Sequence, residues 1–143
     1  MANFSGGCFC GGVRYESAAA PEFAYYCHCT DCRRVSGAAF HTGLVVPRAA
    51  FRVLAGSAAR HDATADSGHT ISRFFCPACG AQLWSETTAD ARILSVKAGS
   101  VDGDVAIRPT IEIWTRSRVG WADIPAGLTR YLRGARGEQP IAP

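Results

Sequence analysis

Three of the seven cysteines lie close together in residues 26–37, which read Tyr-Cys-His-Cys-Thr-Asp-Cys-Arg-Arg-Val-Ser-Gly. The residues before them have strand-like composition, and residues two apart on a strand point to one face, so Cys27 and Cys29 can aim at one centre. Cys32 can reach the same centre from the first turn of a short helix. Since zinc prefers four ligands, three converging thiolates predict a metal site with one open coordination position, where chemistry could occur.

A strand and a short helix must position this triplet. We expect Thr30 or Asp31 to cap the helix and Gly37 to end it, because these residue types favour the two ends of helices. His28 is expected to point away from the two cysteines that flank it, since neighbouring residues on a strand face opposite sides.

The other four cysteines form two local pairs. Cys8 and Cys10 lie between paired glycines, and Cys76 and Cys79 have the C-x-x-C spacing, followed by glycine, that zinc knuckles use. Two distant pairs can close one four-sulfur site, so the seven cysteines divide into four plus three. A ribbon site that combines members of the central triplet with the C-x-x-C pair is the competing assignment, but it leaves other sulfurs without enough partners.

Disulfide bonds in a secreted domain are the main alternative use of so many cysteines. However, an odd count leaves one thiol over, and the C-x-C spacing suits internal bridging badly. Residues 1–7 also lack the charged start and the apolar run of a signal peptide. Inert buried cysteines are a second alternative, which clustering this tight disfavours. We therefore expect reduced, metal-binding thiols and a cytoplasmic protein.

Length and composition indicate a single domain over residues 1–143. The chain is 48% hydrophobic with a formal net charge of +3, and a chain of this size buries roughly two-thirds of its unfolded surface. No segment is apolar enough to span a membrane. The sequence lacks a dense stripe of basic and aromatic residues, so nucleic acid is not an expected partner. Nothing in the sequence indicates the oligomeric state.

Short apolar or alternating segments predict about seven strands and hence a mainly β fold with short helical turns. These segments are residues 13–16, 38–46, 51–54, 71–75, 81–84, 93–98 and 110–115. Residues 57–68 lack periodicity and are expected to form an exposed loop, so His61 and the nearby His69 are interpreted as solvated residues rather than ligands.

The C-terminal segment has two open interpretations. Pro125 could start a short helix that ends at Gly134, or the segment could be ordered coil. Arg130, Arg133 and Arg136 could form a phosphate-binding patch, but a solvated tail is the favoured interpretation.

Three cysteine motifs resemble the signature of the glutathione-dependent formaldehyde-activating enzymes, also called the centromere-protein-V family. They are Gly7-Cys8-x-Cys10-Gly11, Cys27-His28-Cys29-x-x-Cys32-Arg33 with Ser36-Gly37, and Phe75-Cys76-x-x-Cys79-Gly80. The later features that are similar to this family are Gly99-Ser100-Val101-Asp102, Ile113-Trp114, Ser117-Arg118 and Trp121. The resemblance therefore covers nearly the whole chain. The chain departs from many relatives at Glu112, where they have histidine and proline-rich residues.

The resemblance implies an Mss4-like fold of packed antiparallel sheets with two zinc ions per chain. It implies a structural zinc on one set of cysteines and a labile, catalytic zinc, which can be partly occupied, on the other. The structural set is Cys8, Cys10, Cys76 and Cys79, and the catalytic set is Cys27, Cys29 and Cys32. The implied activity is that of a carbon-sulfur lyase, which joins formaldehyde reversibly to a small-molecule thiol such as glutathione.

The chemistry expected of the triplet agrees with that activity. A zinc ion with one open position can bind a small thiol as its thiolate or polarise a carbonyl. Three thiolates leave the ion with a net negative charge, so thiol exchange suits it better than Lewis-acid catalysis. Other candidate functions are a zinc-stabilised module that binds nucleic acid or a protein, and a thiol-redox or metal-handling protein without lyase turnover.

Substrate contacts are less defined by the sequence than the metal ligands are. Arg34 and Ser36 are the candidates for substrate binding. His28, Arg33 and Arg73 also lie near the cysteine motifs in sequence. Surface exposure or hydrogen bonding to the metal ligands is the commoner role of such residues. No general base is assigned.

Overall fold

The computed structural model describes residues 2–104 and 106–142. These residues form eleven strands in two sheets and one α-helix, so the predicted mainly β fold is confirmed. Contacts divide the chain into two compact units, one of Met1–Glu22 with Leu44–Ile107 and one of Phe23–Gly43 with Arg108–Pro143. A single domain over residues 1–143 stays a prediction. Among the described residues, no helix is both long enough and apolar enough to cross a membrane.

The elements are short, as the sequence patterns predict. In chain order the strands are β1 (Phe4–Gly7), β2 (Arg14–Ser17), β3 (Phe23–Cys27), β4 (His41–Pro47), β5 (Phe51–Ala55), β6 (Ala59–Thr64), β7 (Thr70–Phe75), β8 (Gln82–Thr87), β9 (Ile93–Lys97), β10 (Pro109–Ile113) and β11 (Thr129–Arg130). The helix is α1 (Thr30–Ser36), and single 3₁₀ turns follow β4, β9 and β10.

The first unit is antiparallel. Its strands β1, β2 and β5 pair side by side, and β6, β7, β8 and β9 pair in chain order. An aromatic cluster is part of its core: the ring of Trp84 lies 4.9 Å from the rings of both Phe51 and Phe74, and Tyr15 lies 5.2 Å from Phe51. The hairpins β1–β2 and β7–β8 that carry the two cysteine pairs thus share core residues, since Tyr15 and Trp84 are both buried.

The second unit contains parallel strand pairs, which the sequence did not indicate. Strand β10 pairs in parallel with both β3 and β11. Parallel pairing requires a long connection, and the chain between β3 and β10 supplies one. The register sets Glu112 opposite Tyr26 and Ile113 opposite Cys27. A residue of β10 is therefore placed next to the central cysteine motif.

One local prediction is wrong, and one of two open interpretations is excluded. Residues 57–68 are not a loop throughout, because β6 pairs with β7 over its whole length. Most side chains of β6 are exposed, so it lacks the buried face that produces a period-two pattern. Of the two interpretations of the C-terminal segment, the helix between Pro125 and Gly134 does not form, and β11 lies there. Gly127 has a φ of 89°, which interrupts a right-handed helix. The ordered-coil interpretation describes most of this segment better.

Candidate metal centres

The first unit contains a cluster of four cysteines, which we call the quartet. Its members are Cys8, Cys10, Cys76 and Cys79, and their Sγ atoms all lie within 4.8 Å of one another. The Sγ atom of Cys10 is 3.5 Å from that of Cys8 and 3.8 Å from that of Cys76. All four are free thiols. The structure therefore brings together the four residues that the sequence analysis assigned to a closed site.

Tight turns orient the quartet. The backbone N–H of Cys8 donates to the carbonyl of Val13, and the N–H of Val13 returns a 3.2 Å hydrogen bond to the Cys8 sulfur. In the other hairpin, the N–H of Cys76 donates to Ala81, and the N–H of Gly80 donates back to Cys76. Gly80 has a φ of 77°, in the left-handed region that glycine adopts without strain. Backbone hydrogen bonds within the two turns thus position the cysteines of the quartet.

Hydrogen bonds divide the quartet into more and less acidic thiols. The backbone N–H of Val13 lowers the pKa of Cys8 to about 6, and a hydrogen bond with the backbone of Ala81 lowers the pKa of Cys79. For Cys10, the backbone of Gly12 acts to lower the pKa, but hydrogen bonds with the Cys8 and Cys76 thiols outweigh it and raise the pKa to about 11. Two sulfurs of the quartet are therefore favoured as thiolates, which are the form that binds metal.

The second unit contains a cluster of three cysteines, which we call the trio. The Sγ atoms of Cys27, Cys29 and Cys32 lie within 4.8 Å of one another. Cys27 ends β3, and Cys29 follows in an extended conformation as the N-cap of α1. The Cys29 sulfur accepts a 3.2 Å hydrogen bond from the backbone N–H of Cys32. The three sulfurs converge through local structure alone, as the sequence predicts.

The helix boundaries confirm one sequence prediction and correct another. Gly37 ends α1 in the left-handed conformation, and its N–H donates to the carbonyl of Arg33 at 2.9 Å. However, the N-cap is Cys29 rather than Thr30 or Asp31, which lie inside the helix. A sulfur atom here takes the acceptor role that an oxygen usually fills.

Mutual hydrogen bonding holds protons on the trio. The pKa of Cys27 is raised well above its usual value, because hydrogen bonds with Cys29 and Cys32 and burial all favour the thiol. For Cys29, the hydrogen bond with Cys27 acts to lower the pKa, but the bond with Cys32 and burial outweigh it and raise the pKa. Metal binding must displace these protons, so the affinity of the trio for a metal depends on pH.

A buried hydrogen-bonded pair, His28 and Glu112, supports the trio from behind. His28 lies between Cys27 and Cys29, and its Nε2 atom is 2.9 Å from Oε1 of Glu112. Both residues are only 1% exposed, and the backbone N–H of His28 donates to the carbonyl of Ile113 at 3.0 Å. Within the described structure, the other ring nitrogen of His28 has no hydrogen-bond partner. The pair fixes the backbone between two sulfurs of the trio.

The role of Glu112 was missed in the sequence analysis. Glu112 was noted in the sequence as a departure from the family pattern, and its place in the alternating apolar segment 110–115 was the signal for a buried carboxylate. A charged residue at such a position is buried only when it has a partner. The partner could not be identified from the sequence because it depends on the parallel register of β10 with β3.

The residues predicted to contact substrate are not all at one place. Arg34 lines an open groove of about 460 Å³ in the second unit. The residues that line it are Arg33, Arg34, Gly37, Ala38 and Trp121. Ser36 does not line it, and its hydroxyl accepts a hydrogen bond from the N–H of Ala38. Arg73 is buried in β7 of the first unit. His61 and His69 belong to neither cysteine cluster.

The groove is basic, and its two arginines have no acidic side chain paired with them in the described structure. Within the described part of the chain, neither Arg33 nor Arg34 has an ion-pair partner. Trp121 is 72% exposed beside them. Both arginines lie on the same helix as Cys32, one and two residues further along. A small anion in this groove would therefore sit on the helix that carries part of the trio.

Comparisons with known proteins support the same assignment of fold and family. The family model described as glutathione-dependent formaldehyde-activating enzyme matches residues 3–117. The chain is also similar to a Rhodobacter sphaeroides protein whose crystal structure was determined in a structural genomics programme, with a TM-score of 0.58 and 20% sequence identity. That similarity covers 71% of this chain and 91% of the other. At this level of identity the likeness concerns the fold.

Proposed function

Because the chain belongs to the glutathione-dependent formaldehyde-activating enzyme family, we propose that it is a zinc-dependent carbon-sulfur lyase. Its substrates are adducts of glutathione, or a related small thiol, with formaldehyde or another aldehyde. The observation that carries the proposal is the convergence of three cysteine sulfurs within 4.8 Å on one short segment. Three protein ligands are the number that zinc enzymes use when the fourth position serves the reaction.

The residues of both clusters fit zinc. All seven donors are sulfur, and thiolates select soft or borderline metals such as zinc over magnesium or calcium. Four sulfurs complete the tetrahedral set of a structural zinc, so the quartet is the proposed structural site. The trio is the proposed catalytic site, where water or substrate would supply the fourth ligand of the zinc ion. Two zinc ions per chain are expected, with the second bound more weakly.

A zinc ion held by Cys27, Cys29 and Cys32 would favour the thiolate form of a small thiol at neutral pH. In the forward direction, the sulfur of the thiol forms a bond to the aldehyde carbon. The carbonyl electron pair moves to the oxygen, which takes up the proton that the thiol lost. The Cys29 cap and the His28–Glu112 pair keep the trio in place during this exchange.

The arginine groove supports a carboxylate-bearing thiol as substrate. Glutathione carries two carboxylates, and Arg33 and Arg34 supply two guanidinium groups on the helix of Cys32. Guanidinium binds carboxylate in a paired, directional geometry. The exposed ring of Trp121 offers an apolar surface to the remaining part of the glutathione molecule. We propose Arg34 as a substrate contact on this ground, and a reducing compartment such as the cytoplasm as the place where thiols and glutathione meet.

The proposal is tested by zinc content and turnover together. Elemental analysis should find two zinc equivalents in the purified protein and one in Cys29→Ser. An excess of glutathione should compete for the weaker zinc alone. The rate at which glutathione and formaldehyde exchange with their adduct, measured by magnetisation-transfer NMR, should rise with wild-type protein and not with Cys29→Ser.

Two results would contradict this proposal in different ways. Zinc content that does not change in Cys29→Ser would remove the trio as a metal site. Two zinc equivalents without any acceleration of adduct exchange would instead favour a binding module or a metal-handling protein.

A further inference from the structure

A second cavity in the second unit shares Glu112 with the support of the trio but is lined by none of the cysteines. Its volume is about 670 Å³, which lies within the roughly 300–1,000 Å³ typical of small-molecule sites. Its lining comes from β10, β11 and the coil segments that flank β11. The lining residues are Glu112, Arg118, Ile124, Pro125, Ala126, Gly127, Leu128, Thr129, Arg130, Pro140 and Ile141.

The charges in this cavity do not balance. Glu112 is 1% exposed and is already bound by His28. A nitrogen of Arg118 lies 3.9 Å from Oε1 of Glu112, so this guanidinium offsets the carboxylate. Arg130 is partly buried, and within the described chain its side chain has no ion-pair partner. One positive charge is therefore left over inside a partly enclosed space.

The strand pairing holds Arg130 in place. Arg130 lies opposite Glu112 in the β10–β11 register, and the carbonyl of Arg130 accepts a 2.7 Å hydrogen bond from the N–H of Ile141. The position of Arg130 on the cavity wall is thus set by backbone hydrogen bonds on two sides. A half-buried guanidinium without a counter-charge in a cavity favours an anionic ligand over a neutral one.

Most of the remaining wall is apolar. Ile124, Leu128 and Ile141 supply branched side chains, and Pro125 and Pro140 supply rigid rings. Sites that bind a small organic molecule in one orientation usually have an apolar lining with a few charged or polar groups. Binding of an apolar chain against this wall is favourable in proportion to the apolar area that is removed from water.

We propose that this cavity binds a small organic molecule that carries a single carboxylate and a short apolar chain. The carboxylate pairs with the guanidinium of Arg130, and the chain lies against Ile124, Leu128 and Ile141. This site is separate from the arginine groove beside α1. It does not depend on the lyase reaction, so it can be tested whether or not the chain turns over glutathione adducts.

The direct test is calorimetric titration of the zinc-loaded protein with acetate, butanoate and hexanoate. Affinity should rise with chain length, because a longer chain covers more of the apolar wall. Hexan-1-ol and hexylamine have the same chain without the negative charge. The alcohol should bind at least tenfold more weakly than hexanoate, and the amine should show no saturable binding.

Variants locate the site. Arg130→Gln should weaken hexanoate binding at least tenfold, and Arg130→Lys should recover part of it. The matched control is Arg136→Gln, which removes an exposed arginine from the same C-terminal segment outside the cavity and should bind hexanoate as the wild type does. Zinc content and the circular dichroism spectrum, measured for every variant, show that the fold is kept.

Several outcomes would overturn this proposal. These are the absence of saturable hexanoate binding, binding of the amine as tight as that of the acid, and wild-type affinity in Arg130→Gln. Stronger binding of inorganic phosphate than of hexanoate would also overturn it, because that result would assign the site to a bare anion. Glutathione–formaldehyde exchange, measured in the same samples, is expected to persist in Arg130→Gln, so failure of one proposal is distinguishable from failure of the other.

Discussion

The two cysteine clusters use the same side chain in opposite ways. The quartet joins two hairpins that are far apart in sequence, since Cys10 and Cys76 are separated by 66 residues. The trio lies on one short segment between β3 and α1. A metal at the quartet therefore closes a long loop, whereas a metal at the trio constrains chain that is already ordered. The site proposed as structural thus has donors that are far apart along the chain, whereas the site proposed as catalytic has all its donors on one segment.

Loop closure explains why the two sites should differ in their effect on stability. The entropy lost on closing a loop grows with loop length, so a cross-link between distant hairpins excludes many unfolded conformations. The trio has little such entropy to remove. Its Cys29 is instead held as the cap of α1, and the His28–Glu112 pair reinforces the backbone beside it. Stability should depend on the quartet, and activity should depend on the trio.

The largest expected effect is that of removing a quartet ligand. Cys76→Ser should abolish metal binding at that site, and a closed four-sulfur zinc site can supply on the order of 10 kcal/mol to folding. Since whole domains are stable by only about 5–15 kcal/mol, the variant should be largely unfolded. Circular dichroism and elemental analysis would show this. A folded Cys76→Ser with one zinc would mean that the quartet is not the structural site.

The matched substitution in the trio should leave the fold intact. Cys29→Ser keeps a side chain able to cap α1, because serine is itself a favoured N-cap residue. The thermal midpoint should therefore change by only a few degrees, while one zinc equivalent and adduct exchange are lost. Differential scanning calorimetry measures the midpoint. If Cys29→Ser unfolds as Cys76→Ser does, the contrast between the clusters fails.

Most of the cysteine arrangement could be predicted from the sequence because it is encoded in local spacing. The C-x-x-C and C-x-C motifs and the glycines beside them identify each turn without knowledge of the fold. The division into four and three followed from counting donors. Gly37 was likewise recognisable as the end of α1, since glycine readily takes a left-handed conformation.

The features that the sequence did not reveal depend on non-local pairing. The exposed strand β6 has no period-two pattern, because its backbone is paired while most of its side chains remain in solvent. The position of Glu112 behind His28 depends on the parallel register of β10 with β3. Neither register nor strand direction is encoded in a short segment. The candidate ligands were therefore predictable, whereas the residues that support them were not.

A medium-sized effect is expected when the support of the trio is removed. Glu112→Ala leaves buried His28 without its partner, and loss of a hydrogen-bond partner behind a metal site typically lowers metal affinity about 10–100-fold. The weaker zinc should therefore be lost to a chelator at lower concentration, while the quartet zinc is retained. Competition with a colorimetric zinc indicator measures both affinities.

Two controls make the Glu112 result specific. Glu112→Gln keeps the shape and a hydrogen-bond acceptor for His28, so it should lose less affinity than Glu112→Ala. Asp123→Asn removes an exposed carboxylate of the same unit and should behave as the wild type. An equal loss in all three variants would show that Glu112 acts only through net charge.

The smallest expected effect is a difference in the pH at which the two sites release zinc. Protons compete with zinc for sulfur, so a thiol whose pKa is raised is reprotonated at a higher pH than one whose pKa is lowered. The pKa of Cys27 is raised well above its usual value by hydrogen bonds with its neighbours, whereas the Val13 N–H lowers the pKa of Cys8 to about 6. In the quartet the pKa of Cys79 is also lowered and only that of Cys10 is raised, whereas in the trio the pKa values of both Cys27 and Cys29 are raised. As pH falls from 8, the trio should therefore release its zinc first, and the quartet should follow at a lower pH. Zinc released at each pH, measured by an indicator dye, should appear in two steps in the wild type.

Cys29→Ser should show only the step at lower pH. A single step in both proteins would mean that the different hydrogen bonding of the two clusters has no effect on how they hold metal.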